Sequence, residues 1–266
     1  MSVSKSFTSN NPILFGILIT FMALVFYIIT AGIAASVSQD SAGYNYAEAI
    51  GRTAASFLFL IMLWRFGWFR SSGAGAAGNM TVWIITLVII IYEFIINQYA
   101  LFGNVVFSMP ENPLSLPVGL NALASGPIEE IPFRAIVLYA FIRIWGDTRQ
   151  GIFRSVVYSS LLFSTGHFIH LLLGVPFSTV GMKVIVTFLS GIYYAALVLR
   201  WRTIWTVALL HGVINAVMSI RAVNVEGFSE SASALGIVTL FQIPLVLFGI
   251  YIIAKLPLRK VVSEVD

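Results

Sequence analysis

An all-α, polytopic membrane protein of about eight transmembrane helices, with its site inside the bundle, is the fold class this sequence predicts. Three observations carry it. Of 266 residues, 59% are hydrophobic and only 10% are charged, against about 25% charged in a soluble domain. The apolar residues fall in successive runs near the roughly 20 residues that span a bilayer as a helix. The lysines and arginines between the runs collect on one side. No cysteine is present, which excludes disulfides, thiolate metal sites, a cysteine nucleophile and cysteine lipidation. The net charge is +4, but the basic residues are spread over short loops, so the expected partner is the lipid bilayer and not nucleic acid. With no internal repeat or low-complexity segment, one transmembrane domain over residues 1–266 is expected, its motif-bearing core at about 115–220.

The elements follow in order. Residues 1–11 are polar, with one charge, Lys5. The run from Ile13 to Val37 exceeds a signal-peptide core and reads as the first membrane helix. A polar loop with Asp40 and Glu48 leads to a second helix from about Arg52 to Trp68. The Gly/Ala/Ser cluster at 71–78 is a turn. A third helix spans about Met80 to Phe102, with Glu93 near its middle, and a Pro/Asn/Gly-rich loop covers 103–117. Helix four runs from about Val118 to Ile144, helix five from Ser155 to Leu173, helix six from Phe177 to Leu199 and helix seven from Thr203 to Ile220. A loop with Glu226 and Glu230 precedes helix eight, Leu235 to Ala254.

This division sorts the charges. Lys5, Arg65, Arg70, Arg143, Arg149, Arg154, Arg200, Arg202, Lys255, Arg259 and Lys260 fall at the amino terminus, the even-numbered loops or the tail, leaving Arg52, Arg221 and Lys183 opposite. The basic side faces the cytoplasm, so a multi-pass protein of the cell membrane with both termini cytoplasmic is expected.

The chain centres on Ser125-Gly126-Pro127-Ile128-Glu129-Glu130-Ile131-Pro132-Phe133-Arg134. Charges in hydrocarbon cost a few kcal/mol or more each, so such residues usually face the protein interior and usually act (about 2.5–3.5 kcal/mol on insertion scales). Glu130 and Arg134 are i, i+4 and share a helix face. Glu129 is turned about 100° from Glu130 and is served less well by the same arginine. Glu130–Arg134 is therefore read as structural, and Glu129 as free for chemistry. Phe163-Ser164-Thr165-Gly166-His167 on helix five and His211-Gly212-Val213-Ile214-Asn215 on helix seven supply further interior polar groups. At 1.5 Å per residue from the inner helix ends, Glu129, His167 and Asn215 lie roughly 20 Å deep and His211 roughly 14 Å. A shared site explains one common depth band; scattered structural polar residues need not agree.

These three motifs, E-E-x-x-x-R, F-x-x-x-H and H-x-x-x-N in that order on successive membrane helices, resemble the CAAX prenyl protease and bacteriocin-processing family of intramembrane endopeptidases. The resemblance implies that Glu129 and His167 hold and deprotonate a water, and that His211 and Asn215 stabilise the oxyanion. Glu130, Arg134 and Phe163 take supporting places. It also implies a peptide or lipidated protein substrate: a prenylated C-a-a-X tail, or a bacteriocin or pheromone precursor. A carboxylate in a low-dielectric surround suits general-base work, and an imidazole N–H and an amide NH2 on one helix face can donate to a developing alkoxide. Two features depart from a simple reading. Pro132 and the Gly126-Pro127 pair suggest a broken segment that restarts with Ser125 or Gly126 as cap. Ala135 stands where the family often has glycine, a packing matter.

Other readings stand beside this one. No metal or other cofactor is expected; the alternative is zinc on Glu129, His167 and His211. A non-catalytic scaffold or self-immunity protein of the same fold would bind a partner through it. A proton- or ion-coupled transporter also uses membrane carboxylates, but the chain lacks the repeat such proteins often carry. His170 reads as structural, Asn215 could join two helices, and Glu93 is either a partner to the site or a packing residue. The aromatic clusters at 64–70 and 201–205 read as interfacial belts.

Overall fold

The computed structural model describes residues 10–105 and 111–256. All regular elements among them are helical: α1 (Pro12–Val37), α2 (Ser41–Arg65), α3 (Met80–Phe102), α4 (Ser115–Glu130), α5 (Tyr139–Trp145), α6 (Arg149–Thr165), α7 (Phe177–Trp201), α8 (Trp205–Val223) and α9 (Ala232–Lys255). A π-helical segment, Ile131–Leu138, joins α4 to α5, and a 3-10 segment, Gly166–Leu173, prolongs α6. The described residues thus form eight rods, the expected number. Seven are long and apolar enough to cross a membrane; the eighth, α4–π–α5, carries the charged stretch. Large apolar side chains such as Phe21, Ile50, Leu172 and Phe177 point outward, while Glu130 and Arg134 are fully enclosed. This inversion suits a lipid surround, where outward apolar groups cost nothing and polar groups need internal partners.

Two boundaries differ from the sequence reading. The second helix begins at Ser41, not near Arg52, because the Asp40 carboxylate accepts from Gly43 N at 2.7 Å and caps it. Glu48 and Arg52 are therefore an i, i+4 pair inside a helix, 2.7 Å apart and buried, not loop residues. The central rod is also not broken with Ser125 or Gly126 as cap. It continues through both prolines and widens to π geometry at Ile131, where Pro132 can neither donate a backbone hydrogen bond nor accept a tight turn around its ring.

Two faces of the bundle are fixed by contacts between its ends. On one, Ile204 N donates to Gly73 O, Trp205 Nε1 to Ala74 O, and Arg149 to Ile253 O; Arg143 lies over Trp68. Arg65, Arg70, Arg143, Arg149, Arg154, Arg200, Arg202 and Lys255 belong to this face or the adjoining helix ends, as expected. Lys5, Arg259 and Lys260 lie outside the described residues. On the opposite face, Asn112 N donates to Asn224 Oδ1, Asn224 Nδ2 donates to Ser115 Oγ, Arg221 bonds Asn104, and Lys183 pairs with Glu230.

The contact that builds the site is α4 against α8, the most extensive helix pairing. Gly126 makes it possible: a Cβ there would lie 2.1 Å from Ala208 O and 2.8 Å from Gly212 N. Gly212 is equally constrained, since its Cβ would meet Leu123 O at 2.5 Å. Pro127 has no N–H to give that Leu123 carbonyl, and the bare Gly212 backbone closes over it. Small residues let membrane helices approach at backbone distance.

Candidate active site

Close approach of α4 and α8 sets Glu129 and Glu130 beside His211. His211 Nδ1 lies 2.9 Å from Glu130 Oε1, and Nε2 lies 3.8 Å from Glu129 Oε2. Glu130 also meets Arg134, Oε2 to Nε at 3.0 Å, with both side chains wholly buried. That contact is a close charge pair rather than a well-aligned hydrogen bond, as neither atom has a good hydrogen-bond partner. The Arg134 guanidinium gains a second neighbour, the Phe163 ring, 4.7 Å away. One carboxylate therefore bridges a buried cation and an imidazole, and the i, i+4 spacing survives into the π segment.

Phe163 is central to the packing. It is 3% exposed and meets Phe133, His167 and His211 edge-on at 5.2, 5.4 and 6.0 Å. The chain tightens to 3-10 geometry just after it, so His167 and His170 stand on a narrower turn, their rings 6.0 Å apart. Asn215, one turn after His211, donates from Nδ2 to Ser125 Oγ at 2.8 Å. Ser125 in turn donates to Ala122 O at 2.6 Å. An amide NH2 has two N–H donors, so one remains for other work.

Glu129, His167, His211 and Asn215 all line one cavity of about 420 Å³, together with Ser125 and Glu93. All four are partly open; the Glu129 and His211 side chains are 20% and 12% exposed. A second, apolar cavity of about 70 Å³ between α1 and α6 also reaches Glu129 and His167, past Leu24, Phe133 and Ile169. Among the described residues, no three His, Asp or Glu side chains are grouped to hold a metal ion.

Ser125 and Arg52 escape a reading of the sequence as members of the site, and Glu93, which the sequence leaves between a partner to the site and a packing residue, lines its cavity. Ser125 supports Asn215 from another helix. Glu93 is buried, accepting from Tyr193 Oη and from Asn97 Nδ2, the latter at 3.1 Å; the neighbouring Tyr194 ring lies 5.8 Å from that of His211. Arg52 enters the cavity wall and bonds Tyr27 Oη at 2.7 Å and Asn121 O at 3.1 Å. An intramembrane charge flags each acidic or basic member in sequence, but not its partner.

The fold and site define a multi-pass helical membrane protein with a polar, carboxylate- and histidine-lined cavity enclosed by its bundle. Residues 111–217 match the family model described as Rce1-like: Type II CAAX prenyl endopeptidase Rce1-like. The match covers all three motifs and shows the resemblance to the CAAX prenyl protease family over the segment that carries them. No curated protein and no solved structure matches the chain.

Proposed function

We propose that this protein is an intramembrane endopeptidase of the cell membrane, its termini cytoplasmic, that cleaves peptide bonds with an activated water. The observation that carries the reading is the convergence of Glu129, His167, His211 and Asn215 from three rods on one cavity. Glu129 and His167 hold the water and take its proton. The hydroxide adds to the scissile carbonyl, and the pair later return the proton to the leaving amine. His211, its ring held at Nδ1 by Glu130, presents Nε2 to the cavity. With the free N–H of Asn215 it receives the oxyanion. Glu130 and Arg134 fix the His211 ring and do not touch substrate. This scheme uses no metal; the zinc reading predicts stoichiometric metal in purified protein and loss of activity on chelation.

The test is comparative peptidomics of host membranes carrying wild type or Glu129→Gln at equal expression. A precursor that accumulates only with the variant supports proteolysis and names the substrate. Identical peptide profiles, with a phenotype that still needs the protein, support the partner-binding scaffold instead.

A further inference from the structure

The direction in which the main cavity opens follows from which helix ends line it. Its shallowest lining residues are Asn45, Leu101, Val118 and Ser219. Asn45 lies near the start of α2 and Val118 near the start of α4, while Leu101 and Ser219 lie near the ends of α3 and α8. All four therefore sit at the face that holds the Asn112–Asn224 contact and the Lys183–Glu230 pair. Lys183 and Glu230 themselves form part of the rim, half-exposed and 2.8 Å apart.

Toward the basic face the packing is dense. The π segment lies beyond Glu129 and Glu130 on the path to the arginine-rich face, and all eight of its residues are buried. Ile131, Ala135, Ile136 and Val137 are wholly enclosed, as are Ala195 and Ala196 of α7 and Val207 of α8. This mostly apolar layer separates the catalytic groups from the basic end of the bundle, where a small pocket of about 30 Å³ reaches in from Ser72 and Arg202 as far as Arg134.

The basic end carries eight Lys and Arg residues among the described helices and loops, named above. The positive-inside rule assigns that end to the cytoplasm. We infer that the cavity opens to the non-cytoplasmic side, and that its substrate is a polypeptide segment presented there rather than a cytosolic tail. The rim fits such a segment: it is polar and of mixed charge, and it leads inward to Glu129. The apolar cavity beside Glu129 and His167 offers a seat for one hydrophobic side chain of the same segment. This inference rests on the peptidase reading for its substrate, but not for its geometry.

The chain has no cysteine, so single-cysteine variants report access without background. Ser219→Cys places a thiol in the cavity mouth, Glu226→Cys in the exposed loop beside it, and Gln150→Cys on the exposed start of α6 at the basic face. Intact cells are treated with a membrane-impermeant maleimide before and after permeabilisation. Labelling of Ser219→Cys and Glu226→Cys on intact cells, with Gln150→Cys reached only after permeabilisation, is the expected result. The reverse pattern overturns the inference, as does a Ser219→Cys that stays unlabelled while Glu226→Cys reacts. This measurement needs no cleavage, so it stands or falls apart from the peptidase reading, which rests on the Glu129→Gln precursor. If that precursor is cut in a cytosolic C-terminal tail, the substrate class is overturned even where the labelling holds.

Discussion

Glu130 holds His211 by its Nδ1 atom at 2.9 Å, across the tightest helix contact in the bundle. The second glutamate of the pair is therefore more than the counterion of Arg134: it sets the ring that faces Glu129. Glu130→Gln keeps the shape and weakens both attachments. Cleavage is expected to fall about 100-fold, the cost of a small displacement of a reacting group. The loss should appear in kcat with KM little changed. An unaltered kcat would remove Glu130 from the positioning of His211.

Glu129→Gln, His167→Ala and His211→Ala should each drop cleavage by at least about 100- to 10,000-fold, the range for a positioned acid or base. The proteins should stay folded, because Glu129 and His211 stand partly open in the cavity and His167 lies on its wall. Gel filtration and thermal unfolding in detergent check the fold beside the activity assay.

Arg134→Ala should behave differently. It strands the fully buried Glu130 carboxylate and leaves space beside Phe163. Breaking a buried pair costs about 3–5 kcal/mol, so the yield of folded protein should collapse. A stable, inactive Arg134→Ala would mean that the arginine serves the chemistry directly.

Asn215→Ala should lower kcat about 100- to 1,000-fold, the usual effect of one missing oxyanion donor. Ser125→Ala removes only the hydroxyl that holds the amide. Its defect should be smaller and should vanish in the Asn215→Ala background. Independent, additive losses in the double variant would show that Ser125 does not act through Asn215.

Gly126→Ala and Gly212→Ala each add a methyl where backbone already stands within 2.1 and 2.5 Å. Overpacking costs about 1–3 kcal/mol and more when backbone must move, so α4 and α8 should separate and activity should fall with thermal stability. Gly181→Ala is the control, since a Cβ there meets nothing within 4 Å. It should be neutral or stabilising, by up to about 1 kcal/mol from helix propensity.

Sequence by itself determined much here. Apolar runs set the number of rods, because a bilayer demands helices of one length. Basic residues sorted the helix ends into two faces, and the i, i+4 spacing of Glu130 and Arg134 was enough to pair them. These are local or one-dimensional properties, and the chain states them directly. The shared depth of Glu129, His167, His211 and Asn215 was likewise readable, since rise per residue is constant along a helix. Only the tertiary structure decided which groups meet across helices. The Glu130–His211 and Ser125–Asn215 contacts depend on the glycine-to-glycine approach of α4 and α8, and Glu93 finds Tyr193 across another interface. The early start of α2 depends on Asp40 as a cap, a short polar signal outweighed by the apolar run that follows. Whether the cavity opens at one end or the other depends on how eight rods pack around a proline-widened turn, and no spacing along one rod encodes that.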